Sequence, residues 1–157
     1  MSLIHLPVHK HAGRLVDDVA GQILLETDAR SQGMRLEREF DAGVLRYRFR
    51  VGVAGRNEER QVRVDFASAR TNPAVHVDGP PCLRHRWEDD SLCMWDPNGP
   101  GSERWLIGDG LPELADHVRI HVHCEAQCRA GNPWPKEEMA GEHPRKRHCP
   151  TCRGRGR

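Results

Sequence analysis

The 157-residue sequence predicts an α+β domain: one helix, a four-strand antiparallel meander, and a closing helix. Two observations carry that expectation. Apolar residues recur at helical spacing over residues 14–28, mostly alternate between residues 34 and 77, and return to helical spacing after Leu111. A period near 3.6 marks a helix lying on a core, and a period of two marks a strand with one buried face. The length suits one hydrophobic core with a small appendage and is short for two ordinary domains.

In residues 14–28, RLVDDVAGQILLETD, the residues Leu15, Val19, Ile23 and Leu24 are spaced as one apolar helix face, with Gly21 as the weak interior point. MRLEREF at 34–40 offers Met34, Leu36 and Phe40 as a first strand. Leu45, Tyr47, Phe49, Val51 and Val53 alternate with Arg46, Arg48 and Arg50 as a second, and Val62, Val64 and Phe66 alternate with Arg63 and Asp65 as a third. The hairpin loop between them is Gly55-Arg56-Asn57-Glu58-Glu59, and Ala74-Val75-His76-Val77 is the fourth strand. From Asp78 to Gly110 the chain carries Pro80, Pro81, Pro97 and Pro100, which predicts a long loop. Such a loop in a compact domain is functional or disordered, and Trp87, Leu92 and Trp95 give this one apolar bulk to pack. Leu111-Pro112-Glu113-Leu114 then opens the second helix with proline in its first turn, running through Val118 and Val122 toward Cys128.

The balance of 24 basic against 23 acidic residues gives no reason to expect a nucleic-acid or membrane partner. Charge is nonetheless uneven: Arg145, Lys146, Arg147, Arg153, Arg155 and Arg157 crowd residues 145–157 with no acid among them. A zinc-knuckle nucleic-acid binder built on that basic tail is one reading, but the aromatic residues lie elsewhere in the chain. No apolar run approaches the roughly 18 to 20 residues that cross a bilayer, and His5, Pro7 and His9 interrupt the N-terminal apolar patch, so the expected location is the cytoplasm. In that reducing compartment the six cysteines read as thiols or metal ligands rather than disulfides.

Cys93 sits in the loop, in RHRWEDDSLCMWDP, between charged residues and an Asp-Pro turn. It is either a buried filler, as free cysteines often are, or a nucleophile. His85, eight residues earlier, is a candidate hydrogen-bond donor to such a thiol or to the oxyanion formed on it, since a folded-back loop can close that span. Asp96 and Asp109 are either acids that take a proton from an attacking amine, or turn residues beside Pro97 and between glycines. Cys82, next to Pro81, reads as structural.

HRWEDDSLCMWDP, ERWLIGDGLPELADHV and GNPWPKEEMAGEHP, in this order of elements, resemble the ubiquitin-conjugating enzyme fold. More particularly they resemble its bacterial branch, from CBASS-type antiphage operons, over residues 14–144. The resemblance implies a ubiquitin-conjugating-enzyme-like domain at 1–144 and a catalytic cysteine, Cys93 by position, that carries a protein's C-terminal carboxyl as a thioester. It also implies a cGAS-like nucleotidyltransferase as partner or substrate, with a ubiquitin-activating-enzyme-like protein and a ubiquitin-like protein as further candidates. Eukaryotic relatives carry a His-Pro-Asn motif whose Asn precedes the cysteine by eight residues; this chain lacks the motif and has His85 there. A non-catalytic module of the same fold that binds the nucleotidyltransferase is the competing reading.

Cys124 and Cys128, four apart on the second helix, share a face, and Cys149-Pro150-Thr151-Cys152 has the two-residue spacing of a zinc knuckle. Four thiolates from helix and tail form a candidate structural zinc site that pins residues 145–157 to the domain, with His121, His123, His143 and His148 as substitute ligands. In the competing view the helix cysteines are core residues and the tail pair is a solvent-exposed dithiol.

Overall fold

A computed structural model of the chain describes residues 5–7, 10–82, 85–95 and 104–135. A 3-10 turn at Ala12–Asp17 leads into helix α1, Val19–Ser31. The strands follow as β1 (Glu37–Asp41), β2 (Val44–Gly52), β3 (Glu59–Ala67) and β4 (Ala74–Val77). A further 3-10 turn at Ile107–Asp109 runs into helix α2, Gly110–Arg129. The four strands form one antiparallel sheet in sequence order, the α+β meander that the change of period predicts.

Register follows from the alternation. Tyr47 stands opposite Val64, Phe49 opposite Val62, and Val64 opposite Val75, so apolar side chains from three strands share the inner face. The outer face carries the arginines, with Arg46 Nε donating to Asp65 Oδ1 at 2.7 Å and Arg48 Nη1 to Glu39 Oε2 at 2.6 Å. On α2, Leu111, Leu114, Ala115, Val118 and Val122 are buried at the spacing of one helix face.

The first helix differs from its expected form. Residues 14–28 predict one continuous helix with Val19, Ile23 and Leu24 inward, yet Val19 and Ile23 are 62% and 59% exposed. The chain breaks at Asp18, whose carboxylate accepts the Gly21 N–H at 2.8 Å and so caps a new helix. Restarting there rotates the inward face onto Gly21, Gln22, Leu25 and Ala29. Leu15 and Val16 reach the core from the separate 3-10 turn instead. Phe40, expected inward on the first strand, is 57% exposed at the edge of the sheet.

Trp105 fixes the approach to α2. Its indole Nε1 donates to the Gly110 carbonyl at 2.7 Å, and its ring lies against Phe66 with centroids 6.1 Å apart. Gly110 has φ of 80°, and a Cβ there would fall 2.9 Å from Asp28 Oδ2. Both facts call for glycine at the start of α2. Gly110→Ala is therefore expected to cost at least about 1–2 kcal/mol from the left-handed backbone alone. Urea unfolding checks this; an unchanged midpoint would show that the backbone relaxes freely at this point.

Candidate active site: the Cys93 loop

Toward its end the buried stripe of α2 stops being apolar: His121, Cys124, Glu125 and Cys128 are all buried. A buried carboxylate persists only where a cation and hydrogen bonds replace its water. Here the cation comes from the loop after β4. Arg86 meets Glu125 as a bidentate pair, Nε to Oε1 at 2.9 Å and Nη2 to Oε2 at 3.1 Å, with both side chains 2% exposed. The remaining nitrogen, Nη1, donates to the carbonyls of Val77 and Asp90 at 3.4 Å each. One guanidinium thus joins the end of β4, the loop and α2.

Burial pushes the Glu125 carboxyl up, but hydrogen bonding and charge from His121 and Arg86 more than offset this and hold it at about 2. Arg86 is the firmer of the two partners, since His121 Nε2 stands 3.6 Å from Glu125 Oε1, beyond good hydrogen-bonding distance.

The loop is a miniature hairpin. Arg86 and Leu92 face each other in an antiparallel bridge, and the Trp87 N–H donates to the Ser91 carbonyl at 2.8 Å. At its tip Asp90 takes φ of 66°, and the Asp89 carboxylate accepts the Ser91 N–H at 3.0 Å and the Ser91 hydroxyl. Burial raises the Asp89 carboxyl, but the Ser91 bonds and Arg70 outweigh it and bring it to about 2. The Leu92 N–H donates to the Val75 carbonyl at 2.7 Å, laying the loop along β4.

Cys93 follows directly, and its N–H donates to the His85 carbonyl at 3.0 Å. The eight-residue span between these two is thus closed through the backbone. Leu92 and Trp95 are buried in the core, Trp95 edge-on to His117 at 5.8 Å, and Met94 packs against the same core. Between these anchors Cys93 is only half-buried. The His85 imidazole, 2% exposed, stacks on Trp134 with centroids 3.5 Å apart and planes at 21°. His121 meets the same indole edge-on at 5.3 Å.

The other sequence candidates fall as follows. Asp96 lies outside the described residues, and Asp109 accepts the Leu106 N–H at 2.7 Å, which is the work of a turn residue. Cys124 and Cys128 are both buried on α2, while Cys149 and Cys152 lie outside the described residues. Cys128 faces Cys82, sulfur to sulfur 3.6 Å, in a small cluster that Trp134 covers. Among the described residues no group of three or more His, Cys, Asp or Glu side chains is arranged to hold a metal ion.

Arg86 and Glu125 are the residues that sequence reasoning missed. Thirty-nine positions separate them, and each sits among other charged or polar residues. One signal was present: Glu125 continues the inward phase of Leu114, Val118 and Val122, so a lone acid falls on a core face. No protein-family model, curated protein or solved structure matches the chain.

Removing one partner of a buried ion pair leaves an uncompensated charge, so Arg86→Ala and Glu125→Ala are each expected to lower stability by about 3–5 kcal/mol, and the double variant by less than their sum. Urea unfolding of the two single variants and the double variant gives the coupling; additive losses would show that the pair is not a unit. The Glu125 carboxyl is depressed in the folded state, so its contribution is fully present above its ordinary value of 4.5 and is lost as pH falls toward about 2. Over that window, stability should fall more gently with acid in Glu125→Gln than in the wild type. Parallel slopes would remove the carboxylate from the account of acid unfolding.

Proposed function

We propose that the chain is a ubiquitin-conjugating-enzyme-like transferase, with Cys93 as nucleophile, acting on or conjugating a cGAS-like nucleotidyltransferase in bacterial antiphage (CBASS) defence. The observation that carries the reading is the setting of Cys93. It is a half-buried thiol on a loop held from both sides, by Leu92 and Trp95 in the core and by the Arg86–Glu125 pair beneath. A cysteine nucleophile needs an accessible sulfur on a backbone that does not wander. The helix, meander, loop and helix order supports the ubiquitin-conjugating enzyme fold for residues 1–144.

In this reading Cys93 Sγ, as the thiolate, attacks the activated carbonyl carbon of a protein C-terminus and displaces its leaving group, forming a thioester. An amine then attacks the same carbon. The tetrahedral oxyanion collapses with loss of the Cys93 thiolate, and the amine proton passes to solvent or to Asp96. His85 supports the loop through its carbonyl bond to the Cys93 N–H and by its stack on Trp134. Its imidazole supplies hydrogen bonding to the reacting centre. An activating-enzyme-like protein and a ubiquitin-like protein are the corresponding donors where the nucleotidyltransferase does not supply its own C-terminus. A structural zinc ion held by Cys124, Cys128, Cys149 and Cys152 would dock residues 145–157 on the domain.

Co-expression with a cGAS-like nucleotidyltransferase, followed by electrophoresis with and without reductant, tests the reading. Wild type is expected to show a reductant-sensitive adduct, Cys93→Ser a reductant-resistant ester, and Cys93→Ala none. His85→Ala should slow adduct formation or transfer by about 10²-fold, the scale of one lost oxyanion donor. An adduct at wild-type level in Cys93→Ala would overturn the assignment.

A further inference from the structure

We infer that Trp134 is a positioning residue for Cys93, acting through His85. Its indole, carried on the Pro133-Trp134-Pro135 arm that leaves α2, fixes the residue whose carbonyl holds the Cys93 N–H. The inference rests on the reading of Cys93 as nucleophile, and it places a determinant of that chemistry outside the loop, beyond the end of α2.

The end of α2 directs the arm. Gly131 has φ of 86°, its N–H donates to the Cys128 carbonyl at 3.0 Å, and the Asn132 N–H donates to the Gln127 carbonyl at 3.0 Å. These bonds and the left-handed glycine form a Schellman stop, which turns the chain back so that Trp134 reaches Cys128 and His121. Asn132 Nδ2 fastens the turn by donating to Gln127 Oε1 at 2.6 Å. Pro133 then fixes its own φ, and Pro135 biases Trp134 toward extended backbone. An indole held in this way loses little conformational freedom when it docks.

His85 is clamped where the indole docks. Its N–H donates to the Cys82 carbonyl at 3.1 Å and its carbonyl accepts the Cys93 N–H at 3.0 Å, so both of its backbone groups are engaged. Its imidazole has Trp134 flat against it, centroids 3.5 Å apart at 21°, and His121 edge-on at 6.5 Å. Trp134 also packs against Cys82 and Cys128. One indole thus touches the residue that anchors Cys93 and the residue that anchors His85.

Packing of the main core does not account for this placement. Trp134 is half-buried and packs on the small cluster of Cys82 and Cys128, apart from the main core that joins α1, the sheet and α2. Losing the indole therefore leaves the main core intact and falls on the surroundings of His85. A nucleophile has to be held to within about 0.5 Å of its productive position. The bond from the Cys93 N–H to the His85 carbonyl is the contact that holds the backbone of Cys93 itself, and the seat of His85 sets its precision.

Residue-resolved amide hydrogen exchange on the full-length protein tests this inference, because the Cys93 N–H reports directly on its bond to the His85 carbonyl. Trp134→Ala is expected to speed exchange at Cys93 about tenfold, the scale of one lost aromatic stack, with the amides of the core residues Val64 and Val118 unchanged. Trp134→Phe, which keeps a stacking ring, should restore most of the protection. Gly131→Ala, which strains the left-handed turn and meets no neighbouring atom, should reproduce part of the loss. In His85→Ala, the further change Trp134→Ala should add nothing at Cys93. Unchanged exchange at Cys93 in Trp134→Ala, acceleration of all amides together, or an additive effect in the His85→Ala background would each overturn the inference. In the adduct assay, Trp134→Ala should lower the limiting rate at saturating nucleotidyltransferase and leave the half-saturating concentration unchanged. The reverse pattern would make Trp134 a partner contact and also overturn the inference. No adduct from the wild type, with the expected exchange pattern, would overturn the transferase reading alone and leave the hold of Trp134 on Cys93 standing.

Discussion

The ion pair between Arg86 and Glu125 is the constraint around which the Cys93 loop is organised. Each charge lost its water on folding, at a cost of several kcal/mol, and recovers it only through a bidentate geometry with further acceptors on the remaining guanidinium nitrogen. Those acceptors are the Val77 and Asp90 carbonyls, one at the end of β4 and the other at the loop tip. A small displacement of the loop would break several of these bonds together and strand a charge in a buried setting. A hairpin with a single bridge has little stability of its own, and the buried pair supplies what the hairpin lacks.

The aromatic contacts extend this anchor to the end of the described chain. Trp134 lies flat on His85, meets His121 edge-on, and covers the Cys82 and Cys128 sulfurs. His121 in turn stands 3.6 Å from Glu125. Loop, helix end and the turn after α2 are therefore coupled through shared neighbours, and substitutions within this group should not act independently. A change at Trp134 reaches Cys93 by a short route, through the His85 ring and the carbonyl that holds the Cys93 N–H.

Much of the fold was legible because periodicity reports which face is buried. The β2 and β3 alternations are long and regular, and they reappear as strands in the expected register of inward and outward residues. The first helix was misread because a period is meaningful only within one element. Leu15 belongs to a 3-10 turn and Val19 opens a helix, so their four-residue spacing describes no common face. Asp18 was the available sign, an acid positioned to cap the helix that begins after it. In the loop, the eight-residue span from His85 to Cys93 is closed by a backbone hydrogen bond, a closure the spacing allows. The Arg86–Glu125 and Cys82–Cys128 contacts could not be read from spacing, because each joins residues that only the tertiary fold brings together.

Burial separates the four described cysteines in a way that composition cannot. Cys82, Cys124 and Cys128 are 0%, 1% and 8% exposed, whereas Cys93 is half-buried. In the proposed reaction, an acyl group the size of a protein C-terminus would have to approach a sulfur along an open line, which the three buried thiols do not offer. The exposure of Cys93 follows from the backbone of its loop. Leu92 is drawn inward where its N–H joins β4, and in an extended chain the next side chain turns the other way. Trp95, two residues on, fastens to the core again beside His117. The half-buried position of the thiol thus follows from the anchoring of its neighbours on either side.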